Sequence, residues 1–248
     1  DKYDVYFVDL WGVMHNGIAC YENAIQVLKN LKKYKKKIIL ISNAPRPNTT
    51  VKLFLEKIGL KSFLYDHLIT SGDVTREYIN LHLKKNKIYH LGPEKDKDLF
   101  YNLKIHFTSK EECEVIICTG LFDAENEDVE DYIKLLSKLK SKTVKMICAN
   151  PDEVVSKGSK LEYCAGAIAK KYEDMGGVVR YFGKPYPEVY NYALKKLKLE
   201  NDFNKKKISV LVIGDNLKTD IKGANLFDIH SLLILNGIYK DFFRNNEV

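Results

Sequence analysis

Val5-Tyr6-Phe7-Val8-Asp9-Leu10-Trp11-Gly12 is a short β-branched and aromatic run that ends on a carboxylate. Near the other end of the chain, Val210-Leu211-Val212-Ile213-Gly214-Asp215 repeats the pattern. Continuous apolar runs of this length read as strands buried on both faces, and open α/β sheets keep their chemistry at strand carboxyl ends. Asp9 and Asp215 therefore suggest one shared site, suited to a hard cation. Taken alone, an Asp after a strand more often only caps its loop. Trp11 puts a bulky indole two residues after that first carboxylate.

Working outward, β-like runs alternate with helical patterns. Val5–Asp9 reads as a strand and Asn23–Tyr34 as a helix, with Ile25, Leu28 and Leu31 on one face. There follow strand Ile38–Ser42, helix Thr50–Ile58, strand Leu68–Ser71 and helix Val74–Leu83. The rhythm returns at the C-terminal end with helix Glu188–Leu197, strand Ile208–Ile213, helix Leu217–Asn225 and strand Ser231–Leu235. Such alternation predicts an α/β fold with a parallel sheet and helices on both faces. Residues 84–181 form their own series: strands Ile88–Leu91, Val115–Cys118, Val144–Cys148 and Val178–Tyr181, helices Val129–Lys140 and Leu161–Met175. The expected arrangement is a core of residues 1–83 and 182–248 with residues 84–181 inserted as a second α/β domain.

Composition narrows the partners. Hydrophobic residues at 45% and charged residues at 29% describe an ordinary globular chain. The net charge of +7 comes from scattered lysines, with Arg46, Arg76, Arg180 and Arg244 as the only arginines. Nucleic-acid recognition leans on Arg forks and a coherent basic face, so no nucleic-acid partner is expected. No run has the length of a membrane span and none resembles a signal peptide, although the sequence begins at Asp1 rather than Met. Five cysteines in apolar contexts, with no zinc spacing, read as buried reduced thiols of a cytoplasmic protein.

Four segments carry the chemistry. Asn16-Gly17 signals a tight turn, so the residues from Trp11-Gly12 to that turn form a small flap beside Asp9. Ser42, ending the second strand, offers a hydroxyl, and Asn43 and the next backbone amides offer donors for an anion; Ser-Asn is also common turn chemistry. Lys184 lies in Gly183-Lys184-Pro185-Tyr186-Pro187-Glu188 at a helix start. A P-loop is excluded there, because Pro185 stands where Ser or Thr is needed. Asp215 and Asp220 fall five apart around a strand-to-helix turn, a carboxylate pair that suits Mg²⁺.

Taken in order, these segments resemble the four motifs of the haloacid dehalogenase superfamily. Residues 84–181 look like the larger α/β cap of the subgroup containing N-acetylglucosamine-phosphate and pyridoxal-phosphate phosphatases. Asn150-Pro151-Asp152, Cys164-Ala165-Gly166-Ala167 and Phe182-Gly183-Lys184-Pro185 carry that part of the resemblance. It implies a Mg²⁺-dependent phosphatase for a small phosphorylated metabolite. Asp9 would be the nucleophile forming an aspartyl-phosphate. The metal would be held by Asp9, the Trp11 carbonyl and Asp215, with Asp220 as ligand or support. Ser42, Asn43 and Lys184 would hold the phosphoryl group, and a cap-mediated homodimer would fit the subgroup.

Trp11 departs from the motif. Family phosphatases carry an Asp there that protonates the leaving oxygen and activates water, and an indole N–H can do neither. General acid–base catalysis is worth about 10²–10⁴ in rate. His15 in the flap is the nearest titrating replacement or substrate contact, though a solvated flap histidine is the commoner reading. Trp11 could itself pack beside a planar leaving group. Two alternatives remain open: a relative that binds phosphorylated ligands and hydrolyses them weakly, and a dehalogenase-type hydrolase, which would not need the Asp215 and Asp220 pair.

Overall fold

In the computed structural model, residues 2–157, 160–235 and 237–240 are described. Strands β1 (Val5–Val8), β2 (Lys37–Ser42) and β3 (His67–Thr70) alternate with helices α1 (Glu22–Lys33), α2 (Asn48–Lys57) and α3 (Ser71–His82). The chain then builds β4 (Lys87–Leu91), β5 (His106–Phe107), β6 (Val115–Cys118), α4 (Ile133–Ser141), β7 (Lys145–Cys148), the strands β8 (Val154–Lys157) and β9 (Lys160–Tyr163), α5 (Ala165–Asp174) and β10 (Val178–Tyr181). It closes with α6 (Pro187–Leu197), α7 (Glu200–Asn204), β11 (Val210–Gly214), α8 (Lys222–Leu226) and β12 (His230–Leu233).

Two five-stranded sheets result, in the orders β12-β11-β1-β2-β3 and β10-β7-β6-β4-β5, and every pairing within them is parallel. Because β1 and β2 are buried on both faces, their alternate residues serve different cores. Val8, Ile38 and Leu40 pack with Leu28 of α1 and with Val51 and Leu55 of α2. Phe7, Ile39 and Ile41 pack with Val74 and Ile79 of α3 and with Val189 and Tyr190 of α6. The same cluster takes in Ile88, Val115, Ile117 and Ile147 of the second sheet. The other face of that sheet has its own core with α4 and α5, built on Ile116, Met146, Leu136 and Ile168. The middle block thus has a core of its own and also shares one with the first sheet.

Most predicted elements lie within a few residues of the observed ones, and the departures have local causes. α3 starts at Ser71 rather than Val74 because Thr70 and Asp73 form a capping box, each side chain bonding the other's backbone N–H at 3.0 Å. The predicted helix over Leu161–Met175 is two elements. Leu161–Tyr163 belongs to β9, antiparallel to β8, and the helix begins only at Ala165. Leu161 is 66% exposed, so no buried face marked this segment as distinct from the helix after it. The predicted helix Leu217–Asn225 opens with one turn of π-helix, Leu217–Ile221, before α8. β5 and α7 fall on segments to which the sequence reading assigned no element.

Candidate active site

In the first sheet the chain runs from β1 to β2 and β3 on one side and returns as β11 on the other. The crevice between β1 and β11, where strand order reverses, is where such sheets bind ligands. Asp9 follows β1 and its N–H bonds the Ile213 carbonyl at 2.8 Å. Asp215 follows β11, and Asp220 sits one turn later. Asp9, Asp215 and Asp220 are all buried, and each has an oxygen within 4.8 Å of the others. A charge cluster of this kind demands a counter-charge. Lys184 supplies one: its buried Nζ bonds Asp9 Oδ1 and, at 2.7 Å, Asp220 Oδ1.

Packing around the carboxylates is close. Gly12 has φ +80°, and a side chain there would put its Cβ 2.0 Å from Asp215 Oδ2. Asp215 Oδ2 accepts the Ile238 N–H at 2.7 Å, leaving Oδ1 available. Asp220 Oδ2 accepts the Asn216 N–H at 3.2 Å. Burial raises the Asp215 pKa to about 7, helped by the neighbouring Asp220 charge. Burial also pushes Asp9 up, against the pull of Lys184. In Lys184 burial works downward, but the carboxylates of Asp220, Asp9 and Asp152 outweigh it and keep the ammonium firmly protonated.

Ser42 and Asn43 end β2 at the same crevice. Ser42 Oγ accepts the Ala44 N–H at 3.1 Å, which keeps its own proton for another acceptor. The Asn43 side chain is a strut: Oδ1 accepts the Lys184 N–H at 2.7 Å, while Nδ2 donates to the Lys184 carbonyl at 3.0 Å and to Asp152 Oδ1 at 2.9 Å. Any anion contact from Asn43 therefore falls to its backbone N–H.

Asp152 is the residue that reading the sequence left out of the site. It follows β7 of the second sheet, lines the same cavity as Asp9, and has its pKa raised to about 6 by burial. Asn150-Pro151-Asp152 at a strand end was a usable signal. What the sequence does not reveal is the seat of that loop: Gly166 of α5 lies against it so closely that a Cβ would meet the Pro151 carbonyl at 2.3 Å.

Trp11 lines the cavity, and its ring rests on Gly17, where a Cβ would come 2.6 Å from the indole. His15 is not a solvated flap residue. It is 2% exposed, wedged edge-on between Trp11 at 5.2 Å and Phe54 at 5.5 Å, with Nδ1 accepting the Gly17 N–H at 3.0 Å. Burial lowers its pKa to about 4, so the ring is neutral at pH 7. The flap closes because Asn16 Oδ1 accepts the N–H groups of Ile18 and Ala19, each at 3.0 Å. The cavity holds about 660 Å³, room for a small metabolite.

A parallel α/β sheet with an inserted α/β cap, and a buried Lys–Asp cluster at its switch point, define the haloacid dehalogenase type of hydrolase. Comparison with known proteins bears this out. Residues 6–106 match a haloacid dehalogenase-like hydrolase family model, and residues 181–242 match a second model of the same kind. A hydrolase of the haloacid dehalogenase-like family from Brucella suis 1330 is 37% identical, with a TM-score of 0.88 over 96% of this chain and 90% of that one. The chain belongs to the haloacid dehalogenase-like hydrolase family. Two more distant structures share the fold: a possible sugar phosphatase from Cytophaga hutchinsonii (24% identity, TM-score 0.78, 99% and 90% covered) and a 4-nitrophenylphosphatase from Thermotoga maritima (21%, 0.77, 100% and 92%). No curated protein sequence matches the chain. Among the described residues no helix is long and apolar enough to cross a membrane.

Proposed function

We propose that this chain is a Mg²⁺-dependent phosphatase for a small phosphorylated metabolite, with Asp9 as the nucleophile and residues 84–181 as the cap. The observation that carries the reading is the Lys184 ammonium held between Asp9 and Asp220, with Asp215 completing a carboxylate cluster in one cavity. Oxygen donors alone suit a hard cation that also binds phosphate. Asp9, Asp215 Oδ1 and the Trp11 carbonyl would hold it, and Asp220, bonded to Lys184 and Asn216, would serve as a further ligand or orient the lysine. When bound, the cation would offset the charge of the phosphoryl oxygens.

The protein's own groups do the rest. Lys184 neutralises the entering phosphoryl group and aligns Asp9, and the Ser42 hydroxyl donates to a phosphoryl oxygen. Phosphoryl transfer is mostly positioning plus electrostatics, which these groups supply. Distant structural relatives described as a possible sugar phosphatase and a 4-nitrophenylphosphatase favour the reading. Phosphate release from p-nitrophenyl phosphate tests it. Turnover with Mg²⁺, lost with EDTA and in Asp9→Asn, is the expected result. The second reading, a phospho-ligand-binding relative without turnover, rests on Trp11; it predicts binding of inorganic phosphate and no p-nitrophenol from any variant.

A further inference from the structure

The cavity lining includes two unlike groups of residues. One is ionic, with Asp9, Lys184, Asp215 and Asp220. The other is apolar and drawn from three separate parts of the chain: Trp11 of the flap, Val154, Val155 and Leu161 of the β8–β9 hairpin, and Ile238 after β12. The indole packs against Gly17, where a Cβ would come 2.6 Å from it, and makes an edge contact with His15 at 5.2 Å. Leu161 is 66% exposed at the same opening. These residues repay a flat apolar body, while Asn16, Tyr21, Asn216, Thr219 and Lys240, which also line the cavity, offer hydrogen-bond partners beside them.

The chemistry at Trp11 selects in the same direction. An alkoxide is as poor a leaving group as hydroxide, whose conjugate acid has a pKa near ~16, and it departs slowly without a proton donor. A phenolate, with a pKa of about 10, or a carboxylate of about 4 departs unaided. The Trp11 indole is not a titrating acid, His15 is buried behind it, and Asp152 in the same cavity is bonded to the Asn43 amide through Oδ1.

Resting on the phosphatase reading above, we propose that the natural substrate carries its phosphate on an sp² carbon of a planar, apolar body, as an aryl, enol or acyl phosphate does. An Asp9 oxygen forms a bond to phosphorus as the bond to the leaving oxygen breaks. The leaving group departs with the electron pair; a phenolate or enolate then takes a proton from bulk water, and a carboxylate stays ionised. Water then attacks phosphorus, the bond to Asp9 breaks with its electrons returning to the carboxylate, and one proton of that water stays on phosphate while the other goes to solvent. With no carboxylate at position 11 to activate that water, the second step is the slow one.

The test compares phenyl phosphate with benzyl phosphate, which share a ring and differ in the carbon bearing oxygen, alongside glycerol phosphate and p-nitrophenyl phosphate, all with Mg²⁺. The expected wild-type result is phenyl over benzyl by at least ~100-fold in kcat/KM, with a burst of p-nitrophenol stoichiometric with enzyme. Trp11→Asp raises benzyl and glycerol phosphate selectively, by about 10²-fold, and removes the burst. Leu161→Gln, on the exposed hairpin, raises KM for phenyl phosphate more than for acetyl phosphate. Equal phenyl and benzyl rates in the wild type would overturn the proposal; a fall for benzyl alone in Asp152→Asn would then name Asp152 as the acid. Phenyl preference with no effect of Leu161→Gln would overturn the role of the apolar residues. No turnover of any of these esters would overturn the phosphatase reading, and this proposal with it.

Discussion

Lys184 is the residue on which the site depends. Its Nζ is buried among three carboxylates, and its backbone is held at both N–H and carbonyl by Asn43. Removing one partner of a buried ion pair costs about 3–5 kcal/mol, because the charge left behind is unpaired. Lys184→Met is expected to lower stability by about that amount and to abolish turnover, measured by denaturant unfolding and phosphate release. Asp9→Asn, by contrast, removes one charge from a carboxylate-rich cluster and leaves Lys184 paired with Asp220, so it should keep the fold while losing activity. A variant pair that lost stability equally would show that the cluster serves packing alone. That Asp9 and Asp215 meet in one place is readable because each is the polar break at the end of an apolar run. His15 is not readable that way. A histidine beside Asn16-Gly17 looks exposed, and only the rings of Trp11 and Phe54 closing on it make it buried and neutral.

At the scale of elements, strands and helices with clear periodicity were legible and their ends were not. α3 gains its first turn from a capping box, and β9 is four residues long and runs straight into α5. The position of Asp152 at the site was hidden for a different reason: it depends on β7 of one sheet ending near β2 of the other, and no local pattern encodes that. The carboxyl ends of β4 and β6 hold a further polar group with a testable pH signature. His90 Nε2 shares a hydrogen bond with Thr119 Oγ1 at 2.8 Å, and burial, with Lys97 nearby, lowers its pKa to about 4. The unfolded chain binds a proton at about 6.5, so below that pH it takes up protons the folded form refuses. The stability that His90 contributes is therefore full above pH 6.5 and lost as pH falls toward 4. Asp96, raised by burial to about 6, works in the opposite sense over nearly the same range. His90→Gln removes only the first arm. The stability gap between wild type and this variant should widen by about 1–2 kcal/mol from pH 4 to 6.5, after allowing for partial solvent screening. A gap independent of pH would place the His90 pKa near its ordinary value.

For the whole molecule, the cluster running through α3 and α6 into both sheets makes the two blocks one cooperative body, so they should unfold together. Trp11 is the sole tryptophan and sits in the cavity, so its fluorescence reports the site while far-UV circular dichroism reports both sheets. The two signals should share one midpoint. A cation bound at Asp9 and Asp215 adds stability by mass action, about 2.7 kcal/mol at a hundredfold excess over its Kd, or about 5–10 °C for a chain of this size. Asp215→Asn separates this effect from general salt stabilisation. In the wild type without metal, the Asp215 pKa raised to about 7 means the folded form holds a proton that the unfolded chain releases near 3.9, so stability falls as pH rises between those values. The amide cannot ionise and escapes that loss. At pH 8 the variant should thus melt above the wild type without Mg²⁺ and below it with Mg²⁺, the two curves crossing as metal is added. Equal Mg²⁺ shifts in both proteins would remove Asp215 from the metal site, and a tryptophan midpoint well below that of the circular dichroism would mean the site opens before the sheets.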